Sequence, residues 1–409
     1  MKPFLKNHVN IAGIVLLTVW LSFSVCCIFT SVRNMDELEH DLSNETELAG
    51  IIDDTEEFVG ENVPLRRQIV EAYGLFQKAM GKHELNNMDV IRDKLGYLHK
   101  GNFFAGFGDD QRKIAINFRR LKDFAAQNGA KCGVVITPMK VAPEEARYIG
   151  LPYNSYYSEA DTLLAWLRHY NVSCLDLRDI PVKSGLEYEQ SFYKTDHHWT
   201  TPAAFEGYMS IVSWLEENEG LTLDPEGITR NDWNYSVWNY PSAMFGSLGR
   251  KAGLLFSDGT EDFSIYYPVS DGDYTLRFWD RNSSGEYSGG FRGALVDDGF
   301  VDEVQSKLFT ESCYDLSFLY GLHSKCTVEN RNNPDGVRVL VLHDSYFSAV
   351  GCYLAQNVSR MDMVYILGDH MREALEMIEE NNYDYVLVCI YPENLAVENC
   401  RLFEDLDYA

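Results

Sequence analysis

The longest apolar stretch in the chain comes first. From Ile11 to Thr30 the sequence is almost unbroken in hydrophobic residues and carries no charge. Twenty residues at about 1.5 Å each make a helix of about 30 Å, the thickness of a bilayer's hydrocarbon layer. Lys2 and Lys6 precede the run, and Asp36, Glu37, Glu39, Asp41, Glu45 and Glu47 follow it. That asymmetry predicts one transmembrane helix at the cell membrane, with the bulk of the chain extracytoplasmic. A cleaved signal peptide is the alternative. The run is long for one and lacks a small-x-small cleavage site, and Phe23-Ser24-Val25 before Cys26-Cys27 does not make a lipoprotein signal. Residues 1–33 are therefore expected to be a cytoplasmic tip and anchor. Residues 34–87 read as an acidic stalk with a short amphipathic helix between Pro64 and Met80.

Past residue 88 the pattern changes to alternating short apolar runs and 3.6-residue periodicity. A hairpin is expected between Met88 and Ala105. Ile114, Phe118, Leu121 and Ala125 share one face of a predicted helix over 109–128, which Gly129 stops. Cys132 to Thr137 predicts a strand ended by Pro138. A helix over 158–170 and a strand over 173–177 follow. Pro202 to Glu216 predicts another helix, with Thr200 or Thr201 as its cap. Near the C-terminus come a strand over 337–342, a helix over 349–355 and a strand over 363–367. A helix bearing Met371, Leu375 and Ile378 and a strand over 385–390 complete the series. Apolar strands alternating with amphipathic helices predict a parallel sheet covered on both faces.

Between about 221 and 335 this rhythm breaks. Gly, Asp, Asn, Ser and aromatic residues dominate, with β-like pieces at 265–267 and 274–279. The stretch reads as an irregular or β insertion in a domain spanning 88–409. Trp233, Trp238 and Trp279 are either its core or platforms on which sugar rings stack.

Composition narrows the picture. With 35 basic and 62 acidic residues among 409, the net charge of −27 argues against nucleic acid as a partner. The 45% hydrophobic and 13% aromatic content fits a globular chain with a substantial core. Seven cysteines lie outside the apolar run. Cys313 and Cys326 could bridge, or all could be buried thiols. No cysteine–histidine ladder points to a metal, and no glycine-rich phosphate loop points to a nucleotide cofactor. No cofactor is expected.

Two polar segments stand out against these apolar surroundings: Thr195-Asp196-His197-His198-Trp199-Thr200 and His343-Asp344-Ser345-Tyr346. Together they hold a carboxylate, an imidazole and a serine. A serine hydroxyl is too weak an acid to ionise alone. A histidine must take its proton, and a carboxylate must fix the imidazole tautomer. Asp196 and His198 are two apart, so on extended chain both face one way. Ser345 falls where a buried strand should turn into a helix, although an N-cap also suits that place. Ser345, His198 and Asp196 are the candidate catalytic residues. Lys140 is a candidate cleft residue or a surface one. The chemistry is serine-dependent acyl transfer, with water or another hydroxyl as acceptor.

These segments carry a family resemblance. The chain resembles the DHHW family of bacterial extracytoplasmic proteins and, more distantly, the alginate O-acetylation proteins with an SGNH-hydrolase-like domain. The matching residues are Asp196, His198, Trp199, Asp344, Ser345 and Tyr346. The likeness extends from about Tyr97 to Leu395 and takes in Pro138-Met139-Lys140 and the segment Phe245-Gly246-Ser247-Leu248-Gly249. Two positions depart from the pattern: His343 replaces a glycine, and Gly368-Asp369-His370 stands where Asp-x-Arg is usual. The resemblance implies an SGNH-hydrolase-like α/β fold. It also implies acetyl transfer through an acyl-serine to a cell-surface polysaccharide, with a multi-pass membrane O-acyltransferase as acyl donor. An esterase of the same fold and a non-catalytic polysaccharide-binding assembly protein are the alternatives.

Overall fold

The computed structural model describes residues 2–33, 58, 63–101, 110–141, 156–280, 283–297, 299, 312–367, 371–396, 399–400 and 403. Most of the expected acidic stalk and Gly368-Asp369-His370 lie outside the described residues. The chain divides into two compact units, residues 1–76 and 77–409.

In the first unit, α1 runs from Lys2 to Arg33. Its part from Gly13 to Arg33 has a mean hydropathy of 2.2, long and apolar enough to cross a membrane. Ile14, Leu16, Trp20 and Phe29 are all exposed, so the helix is apolar on every side and has no protein core to bury in. Its hydroxyls turn inward: Thr18, Ser24 and Thr30 donate to carbonyls four residues back. The unit boundary falls within α2 (Arg66–Ala79).

The second unit begins with a small antiparallel sheet of β1 (Glu84–Leu85), β2 (Val90–Arg92) and β3 (Leu98–Lys100). The elements that follow are α3 (Asp110–Gln127), β4 (Lys131–Ile136), α4 (Tyr156–His169), β5 (Ser173–Asp176) and α5 (Thr201–Glu217). A two-stranded sheet, β6 (Tyr235–Met244) with β7 (Glu261–Pro268), comes next. Then come β8 (Tyr274–Trp279), β9 (Ser284–Gly289), β10 (Lys325–Asn330) and β11 (Arg338–His343). After them, α6 (Phe347–Leu354), β12 (Arg360–Tyr365), α7 (Met371–Glu380) and β13 (Tyr385–Ile390) close the fold.

The main sheet has eight strands in the order β5-β4-β13-β11-β12-β10-β8-β9. The run from β5 to β12 is parallel. Alternate residues of its strands feed separate cores. Val339, Val341, Tyr385 and Leu387 enter one, packed with Ala203, Tyr208 and Ile211 of α5. Leu340, Leu342, Val386 and Val388 enter the other, packed with Phe118 of α3, Leu163 of α4 and Ile378 of α7. This arrangement is the helix-covered sheet that the hydrophobic pattern predicts.

The sheet is mixed, however. β10, β8 and β9 extend it by antiparallel pairing; all three come from the stretch that reads as an irregular or β insertion, where β8 matches the β-like piece at 274–279. Phe263 and Ile265 of β7 join the same core as α5. Cys132, Cys313, Cys326, Cys352, Cys389 and Cys400 are all buried.

Candidate active site

The D-x-H-W segment forms a tight loop before α5. A bridge between Phe192 and Trp199 and a hydrogen bond from Thr200 N to Ser191 O close it. Thr200 then caps α5, accepting from Ala203 N with Pro202 in the first turn. Trp199 is wholly buried, and its indole N–H donates to Tyr314 Oη at 2.8 Å and to the Tyr346 carbonyl at 3.1 Å. One tryptophan thus ties the loop that carries His198 to the turn that carries Ser345. This answers the polar demand of a buried indole while fixing two distant segments.

Ser345 follows β11, where the parallel strands end. The loop brings His198 to it across 147 residues of sequence, with His198 Nε2 2.7 Å from Ser345 Oγ. On the other ring edge, His198 Nδ1 lies 2.6 Å from Asp196 Oδ1. His198 and Asp196 are buried, whereas Ser345 is half-buried, so solvent and ligands reach this group of three through the hydroxyl. The hydroxyl bonds His198 and does not cap α6. The Ser345 backbone N–H donates to no group among the described residues. The imidazole of His198 stacks on Tyr314, ring centres 4.4 Å apart and planes 19° from parallel.

The Asp196 carboxylate is divided in its duties. Oδ1 faces the His198 ring and also accepts His198 N–H at 3.0 Å, while Oδ2 accepts Ser247 N–H at 2.7 Å. Burial works against its ionisation, but the neighbouring imidazoles of His198 and His197 hold it well below the usual carboxylate range. Ser247 belongs to the Phe245–Gly249 segment. A Cβ at Gly246 would lie 2.2 Å from the Asp196 Cβ, so only glycine lets this backbone close on the carboxylate.

His197 sits beside the relay rather than in it. Its Nδ1 lies 3.2 Å from Asp196 Oδ1 but without hydrogen-bond geometry. Burial and the adjacent His198 push its pKa down, keeping it neutral. Asp196, His197 and His198 offer ligand atoms within 4.8 Å of one another, the spacing of a metal set. Both nitrogens of His198 are already committed, to Asp196 and to Ser345, so a shared ion would have to break the relay.

Supporting residues complete the picture. Lys140 is buried, and its ammonium donates to the carbonyls of Leu98 at 2.6 Å, Asp196 at 2.5 Å and Lys194 at 3.3 Å. Burial lowers its pKa to about 8, with the Glu261 and Asp196 charges acting in opposition. Glu261 on β7 accepts from Thr195 N and Thr195 Oγ1, gripping the start of the loop. Asp344 accepts from Tyr346 N, Tyr391 N and Asn394 Nδ2. It thereby fixes the turn under Ser345 and takes no part in the contact with His198. Burial raises its pKa despite these bonds. His343, in place of the glycine, tucks into the protein and donates Nδ1–H to the Asp344 carbonyl at 2.9 Å. Glu261, Tyr314 and Ser247 carry no sequence signal of their own, although the Phe245–Gly249 segment that holds Ser247 does.

A mixed sheet with helices on both sides, a serine at the end of a parallel strand and a D-x-H loop facing it define an SGNH-hydrolase-like domain. Residues 107–235 match the family described as SGNH hydrolase-like domain, acetyltransferase AlgX. Among solved structures, Bacillus cereus PatB1 is similar, with TM-score 0.62 and 19% identity over 77% of this chain and 99% of that one. PatB1 with a sulfonyl adduct gives TM-score 0.60 and 19% identity, over 78% and 99% of the two chains. A DHHW family protein from Eubacterium siraeum gives TM-score 0.53 and 16% identity, over 76% and 93%. No curated protein matches the chain.

Proposed function

We propose that this protein is an extracytoplasmic O-acetyltransferase that moves an acetyl group through Ser345 onto hydroxyls of a cell-surface polysaccharide. The observation that carries this reading is the unbroken line Asp196–His198–Ser345, with contacts of 2.6 and 2.7 Å ending in a solvent-reachable hydroxyl. The match over residues 107–235 to an acetyltransferase family supports the choice of acyl group.

Ser345 Oγ attacks the carbonyl carbon of an acetyl ester as His198 Nε2 takes the hydroxyl proton. Asp196 keeps the tautomer and stabilises the imidazolium. The negative oxygen of the tetrahedral intermediate meets the Ser345 N–H, a preorganised donor of a kind worth about 3 kcal/mol of barrier. Collapse expels the donor's alkoxide, which takes the proton from His198, and leaves acetyl-Ser345. A sugar hydroxyl then gives its proton to His198 and attacks the ester carbonyl. The Ser345–acyl bond breaks, and the serine recovers its proton. Water in the acceptor's place makes the same site an esterase. The apolar span Gly13–Arg33 would hold the domain at the outer face of the membrane, where a multi-pass O-acyltransferase can deliver the acetyl group.

The test uses the full chain in detergent with p-nitrophenyl acetate as donor and an N-acetylglucosamine pentamer as acceptor. Mass spectrometry should find acetyl on the Ser345 peptide and then on the sugar, with neither in Ser345→Ala. An adduct that only water removes, at any sugar concentration, makes the protein an esterase. Failure of a fluorophosphonate to label Ser345 would make it a non-catalytic binding protein.

A further inference from the structure

A second cleft, of about 710 Å³, lies at the far end of α6 from Ser345. Ser345 precedes that helix and Gln356 in the cleft wall follows it, so about 12 Å of helix separates them. The wall is built where the first residues of β6 and β8 meet the ends of β7 and β10. Its volume falls within the range of small-ligand sites.

Of five side-chain amides in this wall, Asn330 has its oxygen taken by Asn332, and the other four give the wall its chemistry. The NH₂ of Asn234 donates to Ile228 O, that of Asn332 to Asp273 O, and that of Asn333 to Asn357 O. Gln356 donates to Tyr235 Oη and Tyr353 O. Acceptors on the protein side fix which way each amide points, since a flip would set oxygen against oxygen in most of them. Their carbonyl oxygens accept no hydrogen bond among the described residues. Asp224 is spent on the N–H groups of Ile228, Thr229 and Arg230. The lining carries no lysine or arginine and has an exposed carboxylate, Glu226.

Rigid, open acceptors ask for a ligand rich in O–H donors, and the missing cations disfavour an anionic one. Beside the wall, on the turn that carries Asn234, Trp233 is 88% exposed. The other two candidate platforms are taken: Arg292 covers Trp238 at 4.0 Å, and Lys325 lies over Trp279 at 5.1 Å. The Trp233 indole, with no ring or cation stacked on it among the described residues, suits the apolar face of a sugar ring.

We infer that this cleft is a second glycan-binding site that takes a neutral polysaccharide segment, with Trp233 as its stacking platform. It holds the polymer away from the reacting serine, and it needs no catalysis to be seen.

The experiment titrates full-length Ser345→Ala protein in detergent with hexamers of N-acetylglucosamine, β-1,4-linked glucose and α-1,4-linked glucose. A hexagalacturonate of equal length is the control, and calorimetry with tryptophan fluorescence gives the readout. At least one neutral hexamer should bind with a fluorescence change, and the hexagalacturonate should bind at least tenfold more weakly. Trp233→Ala should lower the affinity at least tenfold and remove the fluorescence change. In the chain with Ser345 intact, Trp233→Ala should leave fluorophosphonate labelling unchanged. The inference is overturned if no neutral hexamer binds, if Trp233→Ala binds as tightly, or if the hexagalacturonate binds equally well. Calcium bound in the absence of sugar and lost in Glu226→Gln would make the cleft a cation site and overturn it too. Because binding is read on the serine-less chain, inactivity of Ser345 and failure of this site are separate results.

Discussion

His198 and His197 are neighbours in sequence with opposite surroundings, and their substitution should separate them. His198→Ala removes the only imidazole in contact with Ser345 Oγ among the described residues and should slow acyl-serine formation by about four orders of magnitude or more. His197→Ala should cost less than about tenfold. Asp196→Ala falls between, since an orienting group is lost and not the proton acceptor. Stopped-flow release of p-nitrophenol measures all three, and a dead His197→Ala with a mild His198→Ala would reverse the assignment. The sequence already favoured His198, because a spacing of two puts it on the side of Asp196. It left Lys140 open between cleft and surface, since lysine is usually a surface residue and nothing local announces three carbonyls converging on it.

Buried histidines also set the acid limit of the fold. Burial lowers the pKa of His343 to about 4, against 6.5 in unfolded chain. Between these values the unfolded state binds the proton and the folded state does not. The stability is therefore complete above about pH 6.5 and falls as pH drops toward 4, by about 3 kcal/mol for His343 alone. His99, also lowered to about 4 by burial, adds in the same direction. Urea unfolding at stepped pH should show this slope, and His343→Gly should flatten it whatever it does to the baseline.

At the scale of elements, the site depends on joints rather than on the helices and strands themselves. Lys140 joins the end of β4, the β3 hairpin and the D-x-H-W loop through Leu98 O and Asp196 O. Lys140→Met should destabilise the domain by about 2–4 kcal/mol, since buried carbonyls lose their donor. It should also slow Ser345 labelling, through displacement of Asp196. Gly246→Ala should act more sharply on labelling than on folding, by about a hundredfold or more, because the new methyl enters the Asp196 side chain. Thermal unfolding run beside probe labelling separates the two effects. The parallel strands were legible because burial on both faces leaves continuous apolar runs, as in β13. β9 was not: Ser284-Gly285-Glu286-Tyr287-Ser288-Gly289 has no β-former pattern, and pairing with β8 makes it a strand. The strand over 325–330 was missed for the same reason, since Lys325, Glu329 and Asn330 interrupt its apolar positions.

For the whole molecule, topology is the testable matter. With Lys2 and Lys6 before the span and acidic residues after it, everything past Arg33 should be outside the cytoplasm. Protease shaving of intact cells should remove the domain and spare a cytoplasmic control. Protection of the domain would reverse the orientation. The apolar span could be read directly, because a bilayer imposes length and composition on one segment at a time. Pairings of distant segments impose no such local mark, so the place of the 221–335 stretch in the sheet had to come from the structure.

One detail of strand order bears on how the protein reaches its working state. β13, the last strand among the described residues, lies between β4 and β11, in the middle of the parallel sheet. Until it arrives, the strand leading to Ser345 has no neighbour on that side, and Asp344 under the serine lacks the Tyr391 N–H and the Asn394 amide that hold its turn. On the proposed reading, a chain that lacks this strand should carry a serine of ordinary reactivity. The turn that carries Ser345 is completed only when β13 has paired with β4 and β11, a late closure of contacts far apart in sequence that favours slow folding. A chain cut before Tyr385 should therefore leave Ser345 unlabelled by a fluorophosphonate, so the architecture itself would act as a check on completeness.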